Sequence, residues 1–249
     1  MKRFGLIGFP LGHSFSKKYY DAKIEREQIT DIDYKLYPIP VITDFVGLIE
    51  NDHELMGVNV TIPYKIAVMD YLDGLSPEAE AVAAVNCIRI ERKGSKSMLI
   101  GYNTDVYGFR ESLKPLLKPH HDAALILGNG GAAKAVSFAL GQLGIAHTIV
   151  SRSPQKGQLN YSQLNAAVIG IHPLIINTTP LGTYPDVTSH PGIPYGLLGD
   201  RHLLYDLVYN PPETEFLKRG KAVGADTKNG LEMLELQAER NWEIWNTTG

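Results

Sequence analysis

The chain has 249 residues, 44% of them hydrophobic and 20% charged, with a net charge of −3. That balance suits an ordinary globular protein with two cores of normal size, and it excludes the dense basic surface that a nucleic-acid backbone requires. One cysteine, Cys87, excludes an internal disulfide framework, and no run approaches the ~20 apolar residues of a membrane span. The opening "MKRFGLIGFPLGHS" breaks at Gly and Pro before a signal-peptide core can form, so the expected compartment is the cytoplasm.

Along the chain, "RFGLIG" reads as a first strand. It runs into "GFPLGHSFS", which sets Ser14 and Ser16 at the start of a helix expected over residues 16–29. Ser16 suits an N-cap, and two hydroxyls at a helix start suit a carboxylate equally well. After a second helix over residues 41–50, "MGVNVT" reads as a strand. In "NVTIPYK" the polar Asn59, Thr61 and Lys65 alternate with Val60, Ile62 and Tyr64. Pro63 stops the strand and suits the first turn of a helix through "KIAVMDYL". That turn would put Lys65 at the positive end of a helix dipole, which disfavours its charged form. "AAVNCI" places Asn86 inside an apolar strand, either as a satisfied core amide or as a ligand. At "GYNTD", residues 101–105, Thr104 can cap a helix over residues 105–117 whose first position is Asp105.

The second half begins with "ALILGNGGAAKAVSFALGQLG", a strand, a glycine turn and a helix over residues 131–143. Gly128, Gly130 and Gly131 let a backbone approach a pyrophosphate, and the helix start adds N–H groups and positive dipole. Ala132, Ala133 and Ala135 supply the small side chains that close helix–strand packing wants. The next strand, "HTIV", ends where this kind of fold reads the ribose, about 20 residues on. Ser151-Arg152-Ser153 stands there in place of an acid, with Lys156 close behind. A guanidinium with hydroxyls suits a 2′-phosphate, so the cofactor expected is NADP. "PLIINTT", "LLYDLV" and "AVGADT" complete the strands, and a last helix spans residues 230–245. Strands alternating with helices predict α/β architecture with parallel sheets covered on both faces. Residues 155–174 are short for a full crossover helix.

The ordered set "GFPLGHSFS", "NVTIPYK", "AAVNC", "GYNTDVYGF", "LGNGGAAKA", "SRS", "NTTPLG", "YDLVYNPPET" and "NGLEMLELQA" resembles the shikimate dehydrogenase family from residue 5 to residue 238. The resemblance implies NADPH-dependent reduction of 3-dehydroshikimate to shikimate, on the route to chorismate and the aromatic amino acids. It implies an N-terminal α/β substrate domain of residues 1–102 and 232–249, and a Rossmann-like NADP domain of residues 103–231. By resemblance, Lys65 and Asp105 are the catalytic pair. Ser14 and Ser16 bind the substrate carboxylate with Tyr209, while Asn59, Thr61, Asn86 and Gln237 surround the ring. Gly128, Gly130, Gly131 and Ala132 line the pyrophosphate; Ser151, Arg152, Ser153 and Lys156 take the adenosine phosphate; Thr179 and Gly230 complete the cofactor site. No metal is implied, and no partner beyond a small-molecule substrate; monomer and homodimer both remain open. The sequence departs from the family at "KKYYDA", where Pro and a His-Asn pair are common, and at Thr183, where a bulky apolar residue is. Two rival readings stand beside this one: a quinate/shikimate dehydrogenase of relaxed substrate or cofactor use, and a non-enzymatic sensor of NADP and a ring acid.

Overall fold

Strand β1 (Lys2–Gly8) leads to helix α1 (Phe15–Arg26), and β2 (Ile32–Pro38) lies parallel beside β1. Then follow α2 (Asp44–Asn51), β3 (Leu55–Val60), a 3-10 turn Ala67–Tyr71, β4 (Gly74–Leu75), α3 (Pro77–Val82), β5 (Cys87–Lys93) and β6 (Lys96–Tyr102). The second half runs α4 (Asp105–Leu113), β7 (Ala123–Leu127), α5 (Gly131–Gln142), β8 (Ala146–Val150), α6 (Ala166–Gly170) and β9 (Leu174–Asn177). It ends with β10 (Leu203–Asp206), α7 (Glu215–Ala222), β11 (Asp226–Lys228) and α8 (Leu231–Asn246). The computed structural model describes residues 1–12, 14–94 and 96–247. The chain divides into two compact units, residues 1–104 with 237–249, and residues 105–236.

The first unit holds a six-stranded sheet in the order β2-β1-β3-β5-β6-β4. It is mixed rather than wholly parallel, because β5 runs antiparallel to both β3 and β6. In β5 the apolar residues are interrupted by Arg89, Glu91, Arg92 and Lys93, which hid this hairpin from a reading based on apolar runs. One face of the sheet packs on Phe45, Ile49, Val68 and Ala79. The other packs on Tyr20 and on the end of α8, where the Trp245 indole stacks on Phe4 at 4.7 Å between ring centres. Its Nε1 donates to the Ile88 carbonyl at 3.0 Å, so the buried indole keeps its hydrogen bond.

The second unit holds a five-stranded sheet in the order β8-β7-β9-β10-β11, every pairing parallel. Its central strands β7, β9 and β10 read as near-continuous apolar runs because both faces are covered. The crossover from β8 to β9 is abbreviated to a 3-10 turn Tyr161–Gln163 and the five residues of α6, as the short spacing predicted. In each sheet the order reverses once next to its opening strand: between β1 and β3 in the first, between β7 and β9 in the second. Open α/β sheets bind ligands outside the carboxyl ends of strands at such a reversal.

Candidate active site

In the first unit, the loops that leave β1 and β3 lie side by side at that reversal. Thr61 N donates to the Ile7 carbonyl at 3.0 Å, and Phe9 N to the Ile62 carbonyl at 3.2 Å. Gly8 allows the approach, since a Cβ there would stand 2.5 Å from the Thr61 methyl. The two loops carry Ser14, Thr61 and Lys65.

Ser14, not Ser16, caps α1: its backbone is extended, and its Oγ accepts from Lys17 N at 3.3 Å. Accepting that bond uses a lone pair and leaves the hydroxyl proton to donate elsewhere. Ser16 lies inside the first turn, near the Tyr34 phenol. Burial pushes that phenol well above its ordinary pKa, so it remains a neutral donor. It donates to Asn59 Oδ1 at 2.8 Å. Asn59 Nδ2 reaches the Asn86 carbonyl at 3.4 Å, and Asn86 Nδ2 donates to Gln237 Oε1 at 3.0 Å. Asn86 Oδ1 accepts from Thr104 N at 2.8 Å, and Thr104 Oγ1 stands 2.7 Å from Asn241 Oδ1. Tyr34, Asn59, Asn86 and Gln237 thus form one connected polar chain across the end of the sheet. Tyr34 was not singled out from sequence, because a tyrosine in β2 carries no local signal of what it meets, and Thr104 was read there only as a helix cap.

Two expectations here are corrected. Asn86 does not sit inside a strand; it lies at the bend that enters β5, 3% exposed. Lys65 does not sit in the first turn of an α-helix, because the residues from Thr61 to Ile66 form turns and only a 3-10 helix follows at Ala67–Tyr71. The argument from a helix dipole therefore falls. What fixes the Lys65 backbone is a non-local bond: its carbonyl accepts from Val85 N at 2.7 Å, one residue before Asn86. The lysine itself is half-buried. Lys17, in the stretch that departs from the family, is taken up by Asp21 in an ion pair along α1.

In the second unit, Asp105 opens α4 as expected, one residue beyond Thr104. A cavity of about 390 Å³ opens at the carboxyl ends of β7, β8 and β9, a volume in the range of small-molecule sites. Gly128, Gly130, Ser151, Arg152 and Thr179 line it. Gly128 has φ +108, and a Cβ there would stand 2.8 Å from Thr178 Oγ1, so only glycine fits this turn. Gly130 caps α5 and Gly131 begins it, leaving the helix's first N–H groups directed at the turn. Ala132 follows in that first turn; with Gly131 it supports the turn and is not itself part of the cavity lining. Ser151 is buried and its Oγ accepts from Ser153 N at 3.2 Å. Arg152 is exposed at the rim; Ser153 and Lys156 are exposed and lie outside the lining. Among the described residues, no three metal-binding side chains gather.

Thr179 is held from beneath. Its N and Oγ1 reach Asn177 Oδ1 at 3.0 and 2.6 Å, and Asn177 Nδ2 donates to Asp206 Oδ1 at 2.9 Å. Asp206 also accepts from Val208 N at 3.0 Å and from Thr214 Oγ1 at 2.5 Å. Burial pushes this carboxyl up to about 6, while those three donors oppose the rise. Asn177, Asp206 and Tyr161, which also lines the cavity, were missed from sequence. The signal was present at "NTT" and "YDL", where polar residues end apolar runs, but their pairing is a property of the fold. Gly230 packs under the Leu207 backbone, and Tyr209 is half-exposed with its phenol pushed up by burial.

A parallel sheet with a glycine turn and an arginine at its second strand end, joined to a second α/β unit rich in neutral polar groups, defines an NADP-dependent oxidoreductase. Residues 6–88 match the model of the shikimate dehydrogenase substrate binding domain. A shikimate dehydrogenase (NADP(+)) of Clostridium beijerinckii is 39% identical over 255 residues, covering 98% of this chain and 92% of that protein. Its counterpart in Desulforamulus reducens is 35% identical over 263 residues, covering 97% and 88%. The crystal structure of the Thermus thermophilus shikimate 5-dehydrogenase with NADP(H) and shikimate superposes with a TM-score of 0.85 at 31% identity, covering 99% of this chain and 94% of that one. The chain belongs to the shikimate dehydrogenase family.

Proposed function

We propose that the protein catalyses the reversible NADPH-dependent reduction of 3-dehydroshikimate to shikimate. The observation that carries this reading is the polar chain from Tyr34 through Asn59 and Asn86 to Gln237, set beside the Lys65 turn in a member of this family. A ring bearing several hydroxyls needs neutral donors and acceptors held rigidly, and buried amides that already hold one another in place supply them.

NADPH, when bound at the Gly128–Arg152 cavity, supplies a hydride to the ring ketone. Negative charge then gathers on the ketone oxygen and must be met by a proton or a fixed positive group. Lys65 gives that oxygen its proton in reduction and takes it back in oxidation. Asp105 is the second member of the catalytic pair. Ser14 donates its free hydroxyl proton to the substrate carboxylate, Ser16 and Tyr209 assist, and Thr61 joins Asn59, Asn86 and Gln237 around the ring. The first unit is the substrate-binding domain and the second the NADP-binding domain.

The cofactor site fits its group on three counts: the glycine turn beneath α5, the hydroxyl of Ser151, and the guanidinium of Arg152 where an NAD enzyme would carry an acid. Ser153 and Lys156 stand close enough in sequence to join the phosphate once it is bound. We place the protein in the cytoplasm, where Cys87, buried and unpaired, remains a thiol. It acts as a monomer or homodimer.

Initial rates with shikimate and quinate, each with NADP⁺ and NAD⁺, test the reading. Shikimate with NADP⁺ should give the highest kcat/KM. A preference for quinate or NAD⁺ would favour the relaxed dehydrogenase, and a folded protein that turns over no pair would favour the non-enzymatic sensor.

A further inference from the structure

Beyond the phosphate readers, the cavity is lined by one aromatic ring, Tyr161. Its placement is built in detail. After the exposed loop that follows β8, the chain returns alongside that strand. Leu159 N donates to the Ile149 carbonyl and Ser151 N to the Leu159 carbonyl, both at 2.9 Å, forming a parallel bridge between Val150 and Leu159. The next residue, Asn160, opens a 3-10 turn through a capping box: Gln163 N donates to Asn160 Oδ1 at 3.2 Å, and Asn160 N to Gln163 Oε1 at 2.8 Å. Tyr161 is the first residue of that turn.

The ring packs against the apolar core of the second unit and also borders the cavity. It lies near enough to Arg152 for the guanidinium charge to oppose the rise in phenol pKa that burial causes. A full crossover helix would fill this part of the fold with its own turns. The abbreviated connection leaves a single ring there instead, supported from behind and open in front.

We propose that Tyr161 is the platform for the adenine base of NADP(H), and so a specificity-determining residue of the cofactor site. The proposal rests on the cofactor reading above. If Ser151 and Arg152 take the ribose phosphate and Gly128 and Gly130 the pyrophosphate, the base is joined directly to that same ribose. It must therefore lie within one sugar's breadth of Arg152, on the side away from the glycine turn. Every base presents a flat π-face, and an aromatic side chain beneath one contributes about 5- to 150-fold in affinity.

The test uses adenosine 2′,5′-bisphosphate, the half of the cofactor that carries base and phosphates but no reactive ring. Its Kd is measured by calorimetry with the wild type and with Tyr161→Phe, Tyr161→Trp and Tyr161→Leu, alongside the Kd for NADP⁺ and each melting temperature. The Phe and Trp variants should bind within about two-fold of wild type, and the Leu variant about 5- to 150-fold more weakly. Equal binding by the Leu variant would overturn the proposal and show Tyr161 to be a core residue only. Equal loss in the Phe and Leu variants would overturn it too, because the hydroxyl and not the ring face would then matter. If the Leu variant melts early, the Phe and Trp variants still decide, since loss of binding in both while they fold normally refutes a ring platform. Wild type that binds NADP⁺ but not the bisphosphate overturns the placement of the base. Wild type that binds neither means that the cofactor reading itself fails.

Discussion

Asp206 is fully buried and stands well above the ordinary carboxylate value of 3.8, at about 6. Between those two pH values the native state holds a proton that the unfolded chain releases. Stability must therefore fall as pH rises through the window, and above about 6 the cost of the buried charge is present in full. A displacement of roughly two pH units at about 1.4 kcal/mol each makes that cost about 3 kcal/mol. Asp206→Asn removes the titration while keeping the shape. Its amide oxygen can still accept from Asn177 and Val208, and its NH₂ can donate to Thr214, whose hydroxyl then accepts. Denaturant unfolding of both proteins at about pH 4 and about pH 7.5 should show the variant gaining on the wild type by about 2–3 kcal/mol across the interval. A difference that stays flat, or moves the other way, would show that the carboxyl is ionised at little cost and that the raised value is wrong. Since Asn177 links Asp206 to Thr179, the variant should also shift NADP⁺ binding more than shikimate binding.

Arg152→Ala should weaken NADP(H) by about 10- to 150-fold, the worth of a hydrogen bond to a charged group, and leave NAD(H) nearly unchanged. Competitive binding of both cofactors checks this; equal loss of the two would mean that Arg152 does not read the phosphate. Ser14→Ala should move two observables at once, lowering stability by about 1 kcal/mol as a lost cap and raising the KM for shikimate. Calorimetry with steady-state kinetics separates them, and a changed melting temperature with an unchanged KM would leave Ser14 only its structural role. Gly230→Ala would bring a methyl 2.1 Å from the Leu207 carbonyl oxygen, which belongs to rigid backbone. The loop must move, so stability should drop by about 1–3 kcal/mol and the KM for NADPH should rise; unaltered melting would show that this loop yields freely.

The glycine turn and its helix were legible because the requirement is local: Gly128 needs positive φ, and the turn and α5 follow one another in sequence. The shortened crossover was legible from spacing alone. Asp105 at the head of α4 was equally plain, since a carboxylate suits the positive end of a helix. Lys65 was misplaced for the opposite reason. Pro63 is as compatible with a turn as with a helix start, and the choice is made by Val85, twenty residues away in sequence. Ser14 and Ser16 are chemically alike, so only the extended backbone at Ser14 decides which one caps. The networks around Asn86 and Asp206 were illegible because partners such as Gln237 and Asn177 come from distant strands or helices. Sequence shows that a buried amide or carboxyl must be satisfied, but not by what.

The most direct test of the proposed chemistry is turnover of 3-dehydroshikimate with NADPH by Lys65→Ala, with substrate binding and melting measured on the same preparation. Loss of a positioned acid should lower kcat by about 10²–10⁴-fold while shikimate binds with little change, and Asp105→Asn should follow in the same direction. A folded Lys65→Ala protein that turns over at a rate near wild type would contradict the assignment, because the proton must then come from another group.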